Sequence, residues 1–351
     1  MNCHENPKKN GAKVYLSSLR IPPSIVVVTR HRPQQLCEGL NKIYFCYHAC
    51  SHPVCGETKA TSMKDVTTAA VHRDSNPALD ERAIQRQFAR VAATYDSASL
   101  LQKKIADELI DRIELVRPAP DTLLDLGSAT GYLGRHAMEK FPALSVITID
   151  RVTAMASESS SFDPGASTVI AAAEKLALAQ ESVPLVLSNL LLHWCDVGAV
   201  FFEVARVLEI GGAFLFSTLG PDTLMELRAA WAEVDDYPHV HEFIDMHNLG
   251  DALVTAGFSE PVLDTDRVSV TYKDVPQLVE ELRCVGGANV RLDRRRTCTG
   301  KERYRRFAGA YEAFREQGRL VSTWEVIYGL ATKDRATIER SIPVVSRPGG
   351  N

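Results

Sequence analysis

Residues 124–131, Leu124-Asp125-Leu126-Gly127-Ser128-Ala129-Thr130-Gly131, constrain this chain more than any other stretch. The run Thr122 to Leu126 is short and almost wholly apolar, the pattern of a strand buried on both faces, and it passes straight into a glycine turn and a helix predicted from about Tyr132. Glycines let backbone approach a ligand closely and take dihedrals closed to other residues, so a strand, a glycine turn and a helix in this order predict a nucleotide-type site above the strand ends. Asp150 ends the next predicted strand, Ser145 to Asp150; 150 − 125 = 25 residues separate the two aspartates, the span of one helix and one strand. A carboxylate there can accept hydrogen bonds from both ribose hydroxyls. A nicotinamide cofactor uses such an acid too, so the pair alone leaves the cofactor open. The turn argues the choice: a pyrophosphate wants the open helix N-terminus of G-x-G-x-x-G, whereas Asp125 suits the ammonium end of a methionine moiety.

The surrounding pattern predicts an α/β fold. From Asp80 to Val116 apolar residues recur at helical spacing, with a break near Asp96 to Ser99, so two helices are expected before Arg117-Pro118-Ala119-Pro120 ends them. Strands are then expected at Thr168–Ala171, Leu185–Ser188 and Ala213–Thr218, with a helix over Val197–Leu208. Strands alternating with helices predict a doubly wound, mostly parallel sheet. After Thr218 the pattern changes to a helical insertion, with helices expected at Pro221–Glu233 and Leu249–Ala256. A strand at Ser269–Tyr272, a helix over Val275–Cys284 and a closing strand at Trp324–Ala331 complete the domain, residues 80–333.

A net charge of −4, with 45% hydrophobic and 24% charged residues, fits a globular protein with a large core and does not point to nucleic acid or an anionic membrane as a partner. Five of the eight cysteines (Cys3, Cys37, Cys46, Cys50, Cys55) fall in the first 55 residues, with His48 and His52 among them. Their spacing is not that of a paired C-x2-C zinc clip, so no metal is expected, and reduced thiols in a cytoplasm are the simplest reading of the scattered Cys195, Cys284 and Cys298. Residues 1–79 are read as an extension outside the folded domain, with Met63 as a candidate start, and residues 334–351 as a disordered tail.

The glycine turn and its two acids resemble the class I methyltransferases, and Arg206-Val207-Leu208-Glu209-Ile210-Gly211-Gly212 resembles the turn before the fifth strand of that family. Three positions depart from the pattern: Ala129 where glycine is usual, Ala172 where an acid is usual, and Pro184 where aspartate is common. The flanking blocks Phe88 to Asp96, Ser188 to Cys195, Phe216 to Arg228 and Leu282 to Asn289 are similar to the malonyl-acyl-carrier-protein O-methyltransferases of biotin synthesis, a likeness running from Gln85 to Lys333. Several of these blocks also occur in a related assembly-factor family that hydroxylates arginine. The fold implied is the Rossmann-like methyltransferase sheet with an antiparallel strand near its C-terminal edge, preceded by N-terminal helices.

The resemblance implies S-adenosyl-L-methionine as cofactor. Its contacts would come from Asp125, Gly127, Ser128 and Gly131 on the turn, Asp150 and Arg151 after the second strand, Ala172, Ala173 and Glu174 after the third, and Asn189 at the fourth. The implied reaction methylates the free carboxylate of a malonyl group carried by acyl carrier protein. A carboxylate is already ionised near neutral pH, so catalysis is expected to be positioning in a dry pocket rather than acid–base chemistry. Tyr95, His193 and Trp194 are the candidates for the reacting end, and Arg283 for selecting the charged acyl group. The basic run Arg291, Arg294, Arg295, Arg296, Lys301, Arg303, Arg305, Arg306 could steer an acidic carrier. The alternatives are another methylation or an arginine-hydroxylase-like factor, and a non-catalytic assembly protein with a decayed cofactor site.

Overall fold

The computed structural model describes residues 26–29, 79–162 and 167–334. The expected extension and tail, and the Cys/His cluster of residues 46–55, lie outside these apart from the strand β1 (Val26–Thr29), whose backbone pairs antiparallel with residues 268–271. Asp80 caps α1 (Glu81–Ala98) by accepting from the Ala83 amide at 3.0 Å. Ser99 breaks it from α2 (Leu100–Asp111), as the periodicity predicts.

The domain then alternates β2 (Thr122–Leu126), α3 (Tyr132–Lys140), β3 (Ser145–Asp150), α4 (Thr153–Phe162), β4 (Ser167–Ile170), β5 (Val183–Asn189), α5 (Val197–Val207) and β6 (Leu208–Leu219). The helical insertion is α6 (Met225–Ala232) and α7 (Met246–Thr255). It is followed by β7 (Ser259–Tyr272), α8 (Val275–Cys284), α9 (Lys301–Tyr311), the two-residue β8 (Arg315–Glu316) and β9 (Arg319–Thr332).

The strands form one sheet in the order β1-β7-β9-β6-β5-β2-β3-β4, with β8 on the side of β9. Strands β2 to β6 pair parallel, and β9 inserts antiparallel between β6 and β7, the antiparallel strand the sequence led us to expect. Both faces are covered. Leu123 and Leu185 join one core layer while their neighbours Leu124 and Val186 join the other, which is why the strands read as continuous apolar runs rather than alternating ones. Because β3 lies on one side of β2 and β5 on the other, the chain winds outward in both directions from β2 and leaves a crevice above the carboxyl ends of β2, β3, β5 and β6.

Several limits moved. Strands β7 and β9 are 14 residues each, far longer than the tetrapeptide and octapeptide expected, because residues 259–267 of β7 are mostly exposed and residues 319–323 of β9 alternate buried with half-buried positions, so neither stretch gives a continuous apolar run. Helix α9, not expected as an element, carries the second half of the basic run, Lys301, Arg303, Arg305 and Arg306: it buries Phe307 and Tyr311 and leaves Lys301, Arg305 and Arg306 exposed, while Arg291 to Arg296 precede it. The first residues of the expected helix at Pro221–Glu233 are a strap that binds β9 instead. Thr223 Oγ1 donates to the Glu325 carbonyl and accepts from the Glu325 amide, each at 3.1 Å, and buried Glu226 accepts from the Thr323 amide at 2.9 Å. No described helix is long and apolar enough to cross a membrane.

Candidate active site

The crevice above the strand ends spans about 1470 Å³ with its solvent-open mouth included. Its first half is built on the glycine turn. Gly127 stands at φ 75°, and a Cβ there would fall 2.8 Å from the Leu191 side chain, so this glycine serves both the turn and the close approach of the β5 loop. Asp150 holds the turn: its carboxylate accepts from the Ala129 amide at 2.9 Å and from the Val152 amide at 2.7 Å. Asp125, 1% exposed, accepts from the Gly134 amide at 3.0 Å, and burial pushes its pKa up to about 7. Burial likewise raises Asp150. Helices α1 and α2 close this half from above, pinned to the turn because the Thr130 hydroxyl donates to Asp96 and Arg135 pairs with Asp96 at 3.3 Å.

The second half is apolar and aromatic. Trp194 meets Phe88 edge-on at 5.4 Å and His241 at 4.9 Å, and His193 packs against Trp194 at 5.0 Å and Phe243 at 5.8 Å. Leu219, Leu224, Leu227 and Trp324 line its floor. Burial pulls the His193 pKa down to about 3 and that of His241 to about 4, so both imidazoles are neutral near pH 7.

Of the residues selected from sequence, Tyr95, His193, Trp194, Asp125, Gly127, Ser128, Asp150, Arg151 and Asn189 all line this crevice. Burial raises the Tyr95 pKa, so its hydroxyl keeps its proton. Asn189 donates to the Gln102 carbonyl at 3.0 Å and accepts from Ser217 at 2.7 Å, which ties β5 to α2 and β6.

Five expectations need correction. Arg283 is exposed on the outer face of α8, while its neighbours Leu282 and Val285 turn into the crevice. Gly131 does not line the crevice; it starts α3 at φ 77°, and a Cβ there would sit 2.3 Å from Ser159 Oγ. Ala172, Ala173 and Glu174 also fall outside the lining. Ala172 bridges to Lys175, Ala173 is in the core, and Glu174 turns to Arg151 at 3.9 Å. Pro184 lies at the amino end of β5, beside a register shift against β6, far along the strand from the crevice at its carboxyl end, so its lost amide bears on the sheet and not on the cofactor half. The basic run is largely paired already. Arg291 binds Glu242 and Asp293 at 2.8 and 2.7 Å, Arg294 binds Asp80 at 3.1 Å and Arg303 binds Asp235 at 3.3 Å.

The third departure, Ala129, is strained: it stands at φ 48°, where a Cβ costs about 1–2 kcal/mol. Ala129→Gly is therefore expected to raise stability by about 0.5–1 kcal/mol after the extra chain entropy of glycine is counted, and to tighten cofactor binding. A thermal melt and a titration with S-adenosylhomocysteine check both; a lower Tm would contradict the strain.

Sequence reasoning missed Ser99, His241 and Trp324. Ser99 gave a signal only as a helix break, and His241 and Trp324 reach the crevice through chain connections that no local pattern reveals.

Among buried side-chain atoms without a hydrogen-bond partner are Ser99 Oγ, Ser128 Oγ, His193 Nδ1 and Trp324 Nε1, and all four residues line this one crevice. Buried polar groups are nearly always satisfied, so such a concentration makes this crevice the candidate site for a polar ligand. The imidazoles have a further consequence. Their lowered pKa values mean that folding favours the neutral form: stability is complete above the unfolded value near 6.5 and is lost as pH falls toward 4 and 3. Asp125, raised to about 7, runs the other way. His193→Phe should therefore flatten the fall of stability between pH 6.5 and 4, by up to about 1.4 kcal/mol per pH unit, read as Tm against pH; parallel Tm profiles for variant and wild type would contradict it.

The sheet order, the crevice at its switch point and a match of residues 124–216 to the methyltransferase domain family define a class I methyltransferase. The chain is 39% identical over 272 residues to the malonyl-acyl-carrier-protein O-methyltransferase of Gallionella capsiferriformans, an alignment covering 75% of this chain and 94% of that protein. It is 38% identical to those of Nitrosospira multiformis, with 73% and 90% covered, and Laribacter hongkongensis, with 75% and 93% covered. The chain belongs to the malonyl-acyl-carrier-protein O-methyltransferase family.

Proposed function

We propose that this protein transfers a methyl group from S-adenosyl-L-methionine to the free carboxylate of a malonyl group on acyl carrier protein, the early masking step of pimeloyl and biotin synthesis. The observation that carries the reading is the two-part crevice, polar around the glycine turn and apolar beyond it, with unpartnered buried polar atoms in both parts.

The residues of the first part fit the cofactor. Each Asp150 oxygen spends one lone pair on a turn amide and keeps another for a ribose hydroxyl. Ser99 and Ser128 offer buried hydroxyls for the methionine end, and Asp125 faces its ammonium. Val152 and Met155 give the base an apolar bed. When bound, the cofactor supplies a methyl group on a positively charged sulfur, the counter-charge a carboxylate needs. Tyr95, His193 and Trp194 then have only to hold the acyl end in line and keep water out. His193, held neutral, does not compete with the carboxylate for a proton.

The test incubates the full chain with S-adenosylmethionine and malonyl-acyl-carrier protein and weighs the carrier by intact mass spectrometry. One added methyl group, absent with acetyl-acyl-carrier protein, supports the reading. An unchanged malonyl carrier, with folded enzyme and confirmed loading, overturns it.

A further inference from the structure

We propose that the indole Nε1–H of Trp324 anchors the substrate's free carboxylate in the apolar half of the crevice. The inference rests on the methyl-transfer reading above and identifies the group that recognises the acyl charge. Trp324 lies on β9 opposite Val268 of β7, two residues beyond the point where Val326 pairs with Leu219, the last residue of β6. It therefore stands just above the carboxyl end of β6, beside the crevice. Its strand neighbours on the same face, Leu320 and Val326, are fully buried in the core. Packing alone would be met by phenylalanine at that position, without the cost of burying a donor that nothing accepts. Trp324 is 7% exposed, its Nε1 has no partner, and the residue lines the crevice.

The charged alternatives are engaged elsewhere. The lysine and arginine that line the crevice are Lys103, which donates to the Asp96 carbonyl at 2.6 Å, and Arg151, which pairs with Glu81 at 3.0 Å. Among the lining imidazoles, His239 bonds Asp235 at 2.8 Å, His241 Nε2 accepts the Val290 amide, and His193, held neutral, keeps an unpartnered Nδ1 and lines the crevice with Trp324 as a second uncharged group of the acyl half. A neutral donor also suits the chemistry. Methylation turns a carboxylate into an uncharged ester, so charge is lost on the way to the transition state. A guanidinium clamp would stabilise the starting anion more than the transition state, whereas a single N–H orients one oxygen and leaves the other free to be methylated.

Trp324→Phe keeps the ring and removes the donor. With S-adenosylhomocysteine bound, its affinity for malonyl-acyl-carrier protein is expected to fall about tenfold or more, while affinities for acetyl-acyl-carrier protein and for S-adenosylhomocysteine stay within about twofold. Loss of packing alone would weaken both carriers alike, so the malonyl-to-acetyl ratio is the deciding quantity. In 15N-labelled wild type, which has three tryptophans, the indole signal missing from Trp324→Phe should shift with malonyl-pantetheine and not with acetyl-pantetheine. Should that variant not fold, Trp231→Phe and Trp194→Phe assign the signal by exclusion. An unchanged ratio, or an indole signal indifferent to the malonyl group, overturns the anchor while methylation by wild type continues. A wild type that does not methylate the malonyl carrier overturns the reading beneath it.

Discussion

Asp150→Ala is expected to lower affinity for S-adenosylhomocysteine by at least about a hundredfold, the largest functional effect of any single change in the cofactor half. Two hydrogen bonds from ribose hydroxyls to a buried carboxylate contribute about 1.5–3 kcal/mol each, so even the lower figure doubled is about 3 kcal/mol, or two powers of ten. The loss has a second part. The Ala129 and Val152 amides would lose their acceptor, and the strained turn at Ala129 would lose the bond that fixes it. Asp150→Asn keeps one carbonyl oxygen and should fall between alanine and wild type. Isothermal titration checks the series; an affinity of Asp150→Ala within tenfold of wild type would show that the cofactor does not sit over the end of β3.

Gly329→Ala is expected to destabilise the domain by about 3 kcal/mol or more, lowering Tm by roughly 6–12 °C for a domain of this size. Gly329 pairs in register with Phe216, and a Cβ at Gly329 would fall 2.1 Å from Phe216 Cζ. The ring cannot move aside: it packs against Phe201 and Phe214, with centroids 5.7 and 4.9 Å away, in a layer with no exposed edge. A double variant, Gly329→Ala with Phe216→Leu, should recover part of the loss because the smaller side chain frees the space above the glycine. A thermal melt of the single variant within about 2 °C of wild type would refute the close packing.

These two effects differ in how far they could be foreseen. The place of Asp150 in the crevice was legible because it depends on short-range order: a strand end, a fixed distance from the glycine turn, a carboxylate. The strands Thr122–Leu126 and Ser145–Asp150 and the helix Val275–Cys284 matched their expected limits because each is bounded by a local signal, a proline, a glycine turn or a capping aspartate. Gly329 gave no such signal, since nothing in Ile327-Tyr328-Gly329-Leu330 announces an aromatic ring from another strand. Arg283 misled for the same reason. Its position on a helix beside the crevice was read correctly, but residues one apart on a helix point about 100° away from each other, and Leu282 is the one that turns in.

Sequence by itself determined the class of fold, the glycine turn with its two acids, and the segments that bring Tyr95, His193 and Trp194 to the strand ends, because apolar periodicity and turn chemistry act between residues close in the chain. Tertiary structure alone decided which side chains face the crevice, that the basic run is paired, and that Trp324 is left with a donor and no acceptor. Those outcomes depend on the register of β9 between β6 and β7 and on the rotation of α8, and both are set by packing between residues far apart in sequence.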